Sequence, residues 1–169
     1  MENIKQIFLI GMMGSGKSTT GSMLADKLNW TFIDIDSELE KDSDLSIKDM
    51  FKDGEDKFRL YEKEKLKQIA LKDHIVCATG GGIVVEDSNY EILDQSFCVY
   101  LDTSLDVLYE RIKHDNNRPL LSIGNKKDLI RDIFNDREKR YKSLSKLNIS
   151  TDNINIDDSC KIIMEHINE

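Results

Sequence analysis

The residues from position 11 to position 18 have the types and spacing of a loop that binds phosphate. They read Gly-Met-Met-Gly-Ser-Gly-Lys-Ser and fit the pattern G-x-x-x-x-G-K-[ST]. The glycines allow the backbone to turn tightly and to bring its N–H groups close to phosphate oxygens. Lys17 can reach the β- and γ-phosphates of a nucleotide, and the Ser18 hydroxyl can bind Mg²⁺. The motif therefore predicts that the protein binds a nucleoside triphosphate and that Mg²⁺ is its cofactor.

The segments on either side of this loop predict the elements that position it. Ile7–Ile10 is a short apolar run typical of a buried strand, and apolar residues between positions 19 and 28 have helical spacing. The loop should therefore begin a helix whose positively polarised N-terminus faces the same phosphates. A chance match in a flexible turn is the alternative. The strand before the loop and the helix after it count against that alternative.

Two carboxylates, Asp34 and Asp36, end the second strand-like run. Side chains at positions i and i+2 of a strand point to the same side, so both carboxylates could face the phosphate site. One could hold Mg²⁺ through water, and the other could accept a proton or hydrogen bond from an attacking hydroxyl. The alternative is a polar strand end that caps the following helix.

Arg59 and Glu62 are three residues apart and therefore lie on one face of a predicted helix. Glu62 could orient the planar guanidinium of Arg59 toward a substrate carboxylate. A solvent-exposed ion pair is the alternative.

Gly80, Gly81 and Gly82 follow the apolar run at residues 75–78. Consecutive glycines suit a backbone that a ligand approaches closely, with N–H groups available as donors. A flexible turn would also explain them.

The segment from residue 111 to residue 146 is basic, with eleven Lys or Arg and five Asp or Glu. Its loop contains the only proline, and Arg118 just before that proline could close as a lid over the transferring phosphoryl group. Arg137 is a further candidate for binding an anion. A solvated helical face is the alternative explanation for this charge.

Five strand-like runs alternate with longer segments of helical pattern. The strands are predicted at residues 6–10, 31–35, 75–78, 97–101 and 147–150, and the helices at residues 17–28, 46–71, 104–113, 127–146 and 158–168. This alternation is typical of an α/β fold with a parallel sheet wrapped by helices. Ligands of such sheets bind beyond the carboxyl ends of the strands, where the loops at 11–17, 34–37 and 79–82 should meet.

Composition restricts the class of protein. The 169 residues suffice for a single domain over residues 1–169, and no stretch resembles a linker. No apolar run is long enough to span a membrane, and the first five residues lack the pattern of a signal peptide, so we expect a cytoplasmic protein with no membrane partner. The net charge of −8 argues against a nucleic-acid partner.

The cysteines and histidines are not expected to take part in chemistry. Cys77, Cys98 and Cys160 are far apart, and the first two lie within apolar runs, so we expect buried thiols. No Cys-x-x-Cys motif or Cys/His cluster occurs, and the histidines are remote from one another in sequence. A metal site built from such ligands is therefore not expected.

Taken as a set, these motifs resemble the shikimate kinase family in order, spacing and total length, over about residues 4–167. The set comprises the phosphate loop, Asp34-Ile35-Asp36, Gly54-Glu55 followed by Phe58-Arg59 and Glu62, Gly80-Gly81-Gly82, Arg118-Pro119-Leu120-Leu121, and Arg137. The resemblance implies a three-layer P-loop kinase fold, with helices flanking a five-stranded parallel sheet of order 2-3-1-4-5 and with a mobile lid. It also implies transfer of the ATP γ-phosphate to the 3-hydroxyl of shikimate, a step of chorismate and aromatic amino acid biosynthesis.

The resemblance further implies a role for each site residue. Asp34 would support Mg²⁺ through water together with Ser18. Asp36 would engage the shikimate hydroxyls as base or orienter. The predicted catalytic residues are Lys17, Asp36 and Arg118. The predicted nucleotide-binding residues are Gly14, Ser15, Gly16, Lys17, Ser18, Thr19 and Arg111, of which Arg111 would stack on adenine.

The remaining predicted roles concern the acceptor. The predicted shikimate-binding residues are Asp36, Arg59, Gly80, Gly81, Gly82 and Arg137. The two arginines would bind the carboxylate, and Glu62 would hold Arg59. The substrate-binding helical region is expected at about residues 37–72, and the lid that carries Arg118 at about residues 114–126.

Two other functions stay open at this stage. A related small-molecule kinase such as a gluconate kinase would have the same phosphate loop, but the Gly-Glu-x-x-Phe-Arg and triple-glycine motifs count against it. A nucleotide-binding regulatory protein without turnover is the second alternative, and the presence of Lys17, Asp36, Arg118 and both acceptor arginines counts against it. The expected partners are ATP and shikimate, and the expected oligomeric state is a monomer.

Overall fold

A five-stranded parallel sheet forms the centre of the molecule. The computed structural model describes residues 4–168. The strands are β1 (Gln6–Ile10), β2 (Thr31–Asp34), β3 (Ile75–Ala78), β4 (Phe97–Asp102) and β5 (Leu147–Ser150). Their order across the sheet is β2-β3-β1-β4-β5, and each neighbouring pair is parallel. The predicted fold class and strand order are confirmed.

Helices connect the strands and cover both faces of the sheet. Within residues 4–168 they are α1 (Lys17–Leu28), α2 (Ile35–Ser43), α3 (Ile47–Met50), α4 (Glu55–Ile69), α5 (Asp87–Asp94), α6 (Leu105–Ile112), α7 (Lys126–Leu144) and α8 (Ile156–Asn168). Helices α1 and α8 pack on one face. Helices α2, α4, α5, α6 and α7 pack on the other.

The central strand β1 is apolar on both faces because both faces are covered. Phe8 and Ile10 pack into one core, and Ile7 and Leu9 pack into the other. All four side chains are fully buried. This arrangement follows from the alternation of side chains along a strand, combined with a parallel sheet that has helices on each side.

The structure corrects the predicted helix at residues 46–71. This segment consists of α3, a 3₁₀ turn at Phe51–Asp53, and α4. Gly54 separates the last two with a φ of +106°, a backbone conformation that residues with a side chain rarely adopt. Helix α4 therefore begins as a separate element at Glu55.

Two helices lie outside the ranges predicted from helical periodicity, although α2 falls largely within the helical region expected at about residues 37–72 from the family resemblance. Helix α2 buries only Ile35 and Leu39, and α5 buries only Asn89 and Leu93. Helices this short, with two buried residues each, carry too little periodicity to be recognised. Strand β2 also ends one residue earlier than predicted, because Asp34 already caps α2.

The burial of the cysteines and the lack of an apolar run long enough to span a membrane were also predicted from the sequence. Cys77, Cys98 and Cys160 are free and buried, as predicted. No helix within residues 4–168 has the length and apolar character needed to cross a membrane. The expectation that the chain lacks a signal peptide concerns in part residues 1–3, which lie outside the described residues.

Candidate functional site

The phosphate loop lies between the carboxyl end of β1 and the first turn of α1, as predicted. Gly16 precedes the helix with a φ of +92°, and its carbonyl accepts the N–H of Thr20 at 2.9 Å. Within the loop, the N–H of Ser15 donates to the carbonyl of Met12 at 3.1 Å. The N-terminus of α1 therefore points to the carboxyl edge of the sheet, where its free N–H groups can bind an anion.

Lys17 lies folded over this loop. Its Nζ atom donates to the carbonyl oxygens of Gly11 and Met12, at 2.8 Å each. Burial lowers the pKa of Lys17 to about 8, and Asp36 opposes part of that decrease. The ammonium group is therefore still predominantly charged at pH 7, and it lies at the position where the loop would bind phosphate oxygens.

Ser18 and Asp34 form the pair that was predicted to hold the metal. The Ser18 hydroxyl donates to Asp34 Oδ2 at 2.5 Å, and Asp34 Oδ1 accepts the N–H of Ser37 at 3.1 Å. Asp34 thus caps α2, which is the alternative considered above, and it faces the phosphate loop as well. A hydroxyl and a carboxylate are hard oxygen ligands, so the pair fits Mg²⁺ rather than a softer metal ion.

Asp36 faces the phosphate loop as predicted, but it does so from a helix rather than from a strand. Asp36 is not on a strand, because the chain turns at Asp34 and Asp36 lies in the first turn of α2. Both carboxylates nevertheless line the cavity beside Lys17. Burial raises the pKa of Asp36, and the neighbouring Asp34 raises it further.

The predicted acceptor residues line one cavity, which we call the glycine cavity. Its volume is about 280 Å³. It is bounded by Asp36, Arg59, Glu62, Gly80–Gly82, Arg118 and Arg137, together with apolar side chains that include Phe51 and Phe58. Residues separated by about 100 positions in sequence therefore meet here, on α2, α4, the loop after β3, the loop before α7, and α7 itself.

Arg59 is buried in this cavity between two carboxylates. Its Nη1 atom donates to Glu62 Oε2 at 2.8 Å, and its Nη2 atom donates to Glu55 Oε1 at 2.9 Å. Its guanidinium carbon lies 5.3 Å from the ring centroid of Phe58 and 6.0 Å from that of Phe51. The exposed ion pair considered as an alternative is ruled out, because Arg59 is 5% exposed and Glu62 is 0% exposed.

The three glycines allow these charged groups to approach the backbone. A Cβ atom on Gly82 would lie 2.1 Å from Arg59 Nη2, and one on Gly80 would lie 2.7 Å from Glu62 Oε1. A Cβ atom on Gly81 would lie 3.2 Å from the backbone nitrogen of Met13 in the phosphate loop. The triple glycine is therefore a site of close packing rather than only a flexible turn.

Arg137 and Arg118 face the glycine cavity from α7 and from the loop before it. Arg137 is 7% exposed, and among the described residues its Nη1 atom has no hydrogen-bond partner. Arg118 Nε lies 2.9 Å from Asp115 Oδ2, and its side chain is 35% exposed. Arg118 also lines a second cavity beside Lys17, so it lies between the two cavities.

Arg111 lies on the other side of the phosphate loop. Its Nη1 atom donates to the carbonyl of Gly14 at 3.1 Å. A third cavity of about 390 Å³ lies here, bounded by Gly14, Arg111, Ile154 and Ile156 among others. Ser15, Gly16 and Thr19, which were predicted to bind nucleotide, also line it.

The contacts of Arg59 with Glu55 and Phe51 were not predicted from the sequence. Glu55 is four residues before Arg59, a helical spacing that would have indicated the second carboxylate. Phe51 lies in a 3₁₀ turn without periodicity, so no local pattern indicated its contact with Arg59.

Most of the basic charge on α7 is surface charge, as in the pairs Arg131–Asp128 and Lys142–Glu138.

Comparisons with known proteins show the family to which the chain belongs. The family model described as shikimate kinase matches residues 13–168. A bifunctional shikimate kinase/3-dehydroquinate synthase of Thermotoga maritima is 44% identical over 146 residues, which cover 86% of this chain and 29% of that protein. The chain thus spans less than a third of this relative's length.

Two further relatives match along nearly their whole length. A shikimate kinase of Persephonella marina is 39% identical over 151 residues, which cover 88% of this chain and 90% of that protein. The solved structure of a shikimate kinase from Acinetobacter baumannii in complex with shikimate is 34% identical, with a TM-score of 0.94, and the match covers 98% of this chain and 94% of that one.

The buried carboxylate of Glu62 predicts a pH-dependent stability. Burial raises its pKa from 4.5 to about 7, although Arg59 opposes the increase. Between these pH values the folded protein binds a proton that the unfolded chain has released, so the contribution of Glu62 to stability falls as the pH rises. We compare the free energy of unfolding of the wild type with that of Glu62→Gln. As the pH rises from about 4.5 to about 7, we expect the wild-type value to fall, relative to that of the variant, by on the order of 1 to 3 kcal/mol.

Urea unfolding at several pH values measures this difference. Glu64→Gln is the matched control, because Glu64 is an exposed glutamate on the same helix and should leave the pH dependence close to that of the wild type. A difference between wild type and Glu62→Gln that is constant with pH, or that rises with pH, would contradict the prediction.

Proposed function

The chain belongs to the shikimate kinase family, and from this premise we propose that it transfers the γ-phosphate of ATP to the 3-hydroxyl of shikimate, forming shikimate 3-phosphate and ADP. Phosphorylation of shikimate by an ATP-dependent kinase is a step of aromatic amino acid biosynthesis. The observation that carries the proposal is the glycine cavity, in which two buried arginines and Asp36 lie beside the phosphate loop. Such a cavity suits a small acceptor that has both a carboxylate and hydroxyl groups.

Arg59 and Arg137 would bind the shikimate carboxylate. Both guanidinium groups are buried, and the Nη1 atom of Arg137 has no partner among the described residues. A buried, unpaired cation is costly unless an anion neutralises it, so binding of a carboxylate would recover that cost. Hydrogen bonds to Glu62 and Glu55 fix the orientation of the Arg59 guanidinium. Its remaining N–H groups are then available to the substrate in a fixed direction.

Asp36 would orient the acceptor hydroxyl and accept its proton. A carboxylate of raised pKa is a stronger base than an ordinary aspartate, and the pKa of Asp36 is raised by burial and by Asp34. Gly81 places its backbone between the phosphate loop and Arg137. The acceptor would therefore lie between the groups that bind its carboxylate and the loop that binds ATP.

On the nucleotide side, Lys17 would bind the β- and γ-phosphates together with N–H groups of the loop. Ser18 and Asp34 would hold Mg²⁺, Ser18 directly and Asp34 through water. No group of three or more His, Cys, Asp or Glu side chains with metal-binding geometry occurs within residues 4–168, so the other ligands would be water and phosphate oxygens. When bound, Mg²⁺ would neutralise charge on the phosphate oxygens.

Arg111 and Arg118 would complete the nucleotide site. Arg111, Ile154 and Ile156 border the same cavity, so adenine bound there would contact a guanidinium group and apolar side chains. Arg118 lies between the glycine cavity and Lys17, and we infer that closure of the lid at about residues 114–126 brings it onto the transferring phosphoryl group. Four expectations from the sequence stay predictions: that the protein is a monomer, that it is cytoplasmic, that it forms one domain, and that the substrate-binding region lies at about residues 37–72.

The direct test is an assay of ADP release with ATP, Mg²⁺ and shikimate. We expect turnover that depends on shikimate, with much lower turnover when gluconate replaces it or when no acceptor is present. Equal turnover with gluconate would favour the related small-molecule kinase. Tight ATP binding without transfer to shikimate would favour the regulatory protein.

Arg137→Ala should raise the KM for shikimate. Loss of one charged partner in an enclosed site costs about 2 to 5 kcal/mol, which corresponds to an increase in KM of roughly 30-fold or more. Arg137 is a cleaner target than Arg59, because removal of Arg59 would leave Glu62 buried without its partner. Initial rates at varied shikimate concentration measure the effect. Arg131→Ala, an exposed arginine of the same helix paired with Asp128, is the control and should leave KM unchanged.

Asp36→Asn should lower kcat far more than it changes the KM for ATP. Loss of a general base typically lowers the rate by roughly 10²- to 10⁴-fold, and the amide cannot accept the proton. Steady-state kinetics with both substrates varied give the two parameters. Asp42→Asn, an exposed residue of the same helix, serves as the control. A kcat close to that of the wild type would remove Asp36 from the mechanism.

A further inference from the structure

Helix α7 carries a residue that contacts the wall of the glycine cavity and that the proposed mechanism does not use. Tyr141 lies one turn after Arg137 and is fully buried. Its hydroxyl group donates a hydrogen bond to the carbonyl oxygen of Gly81. The same hydroxyl lies 3.8 Å from the sulfur of Met12 in the phosphate loop. Tyr141 therefore reaches both the triple glycine and the loop from the far side of the cavity wall.

The carbonyl oxygens of the triple glycine have different partners. The carbonyl of Gly80 accepts the N–H of Ile83 at 3.1 Å, and that of Gly82 accepts the N–H of Val85 at 3.0 Å. Among residues 4–168, the Gly81 carbonyl receives no backbone N–H, and the Tyr141 hydroxyl is its partner. The orientation of the Gly81 peptide group is therefore determined by a side chain rather than by a local turn.

Fixing this peptide matters because Gly81 lies in a narrow space. On the side where a Cβ atom would project, that atom would lie 3.2 Å from the nitrogen of Met13 and 3.7 Å from Arg137 Nη1. A rotation of the Gly81 peptide would alter the space between the phosphate loop and Arg137. It would also change the orientation of the N–H group of Gly82, which shares that peptide.

We infer that Tyr141 is a positioning residue for the acceptor: through its hydrogen bond to Gly81 it fixes the triple glycine in the orientation that receives shikimate. This inference rests on the proposed function of the glycine cavity. The tyrosine remains a donor at physiological pH, because burial raises the pKa of its hydroxyl to about 12, even though the charge of Arg137 and a hydrogen bond with its side chain oppose that increase.

Tyr100 offers a matched control for this inference. Its ring stacks on that of Tyr141, with centroids 5.2 Å apart and an interplanar angle of 20°. It is equally buried, but its hydroxyl donates to Asp102 Oδ1 at 3.2 Å and does not contact the triple glycine. Tyr100→Phe and Tyr141→Phe thus each remove one buried hydroxyl from the same pair of rings, and only the second removes the anchor of Gly81.

Steady-state kinetics of the two variants test the inference. For Tyr141→Phe we expect the KM for shikimate to rise about three- to tenfold, the range that corresponds to loss of one neutral hydrogen bond. The kcat and the KM for ATP should stay within about twofold of the wild type, and Tyr100→Phe should leave both KM values unchanged. An unchanged KM for shikimate in Tyr141→Phe, or an equal rise in both variants, would overturn the inference.

Hydrogen–deuterium exchange of the ligand-free proteins gives a readout that does not require shikimate. The amides of residues 79–85 should exchange faster in Tyr141→Phe than in Tyr100→Phe and the wild type. Equal exchange in all three proteins would overturn the anchoring role. If the wild type fails to phosphorylate shikimate, the proposed function fails, and the exchange comparison still decides whether Tyr141 holds Gly81.

A second replacement keeps the test decisive if Tyr141→Phe does not fold. 4-Aminophenylalanine at position 141 keeps the ring and places an N–H donor where the hydroxyl was. We expect a KM for shikimate within about twofold of the wild type, because the bond to Gly81 can form again. A KM for shikimate raised about tenfold or more with this donor present would overturn the inference.

Discussion

The pairing of β1 with β3 brings two glycine-rich turns into contact, and the two halves of the site meet across that contact. Thr79, just after β3, donates from its N–H and its hydroxyl to the carbonyl of Leu9, at 3.2 and 2.9 Å. Gly81 then passes close to the nitrogen of Met13. The phosphate loop and the triple glycine are therefore held at a fixed separation by the sheet itself. Transfer of a phosphoryl group depends mainly on such positioning.

The site concentrates charge in a region that solvent scarcely reaches. Lys17, Arg59, Glu62 and Arg137 are all buried, and Asp36 lies among them. Glu62 and Glu55 neutralise Arg59, whereas no carboxylate within the described residues forms an ion pair with Arg137. The site thus carries an excess of buried positive charge that anionic substrates would balance. Buried charge without a partner costs stability, and a bound anion would offset that cost.

Sequence patterns predicted the strands well and the helices unevenly. Every strand lies within one residue of its predicted range. The central strands β1, β3 and β4 are apolar runs because helices cover both faces of the sheet there. Helical periodicity did not indicate α2 and α5, since each buries only two residues. The argument that placed Asp34 and Asp36 on one strand was wrong, yet both face the phosphate loop because α2 begins at the strand end. Arg59 and Glu62 were identified by helical spacing, and the same spacing puts Tyr141 one turn after Arg137. No local pattern connected Phe51 to the site.

The sequence by itself determined the chemical parts of the site, because each part is local: a loop of glycines before a lysine, a pair of acids, an arginine and a glutamate one turn apart, and three consecutive glycines. Tertiary structure alone decided which of the many charged residues face the cavity. The basic segment at residues 111–146 illustrates this, since most of its charges form surface pairs while Arg137 is buried beside Gly81. The physical reason is that burial and contact depend on which elements pack together, and residues far apart in the chain carry no local signal of their meeting.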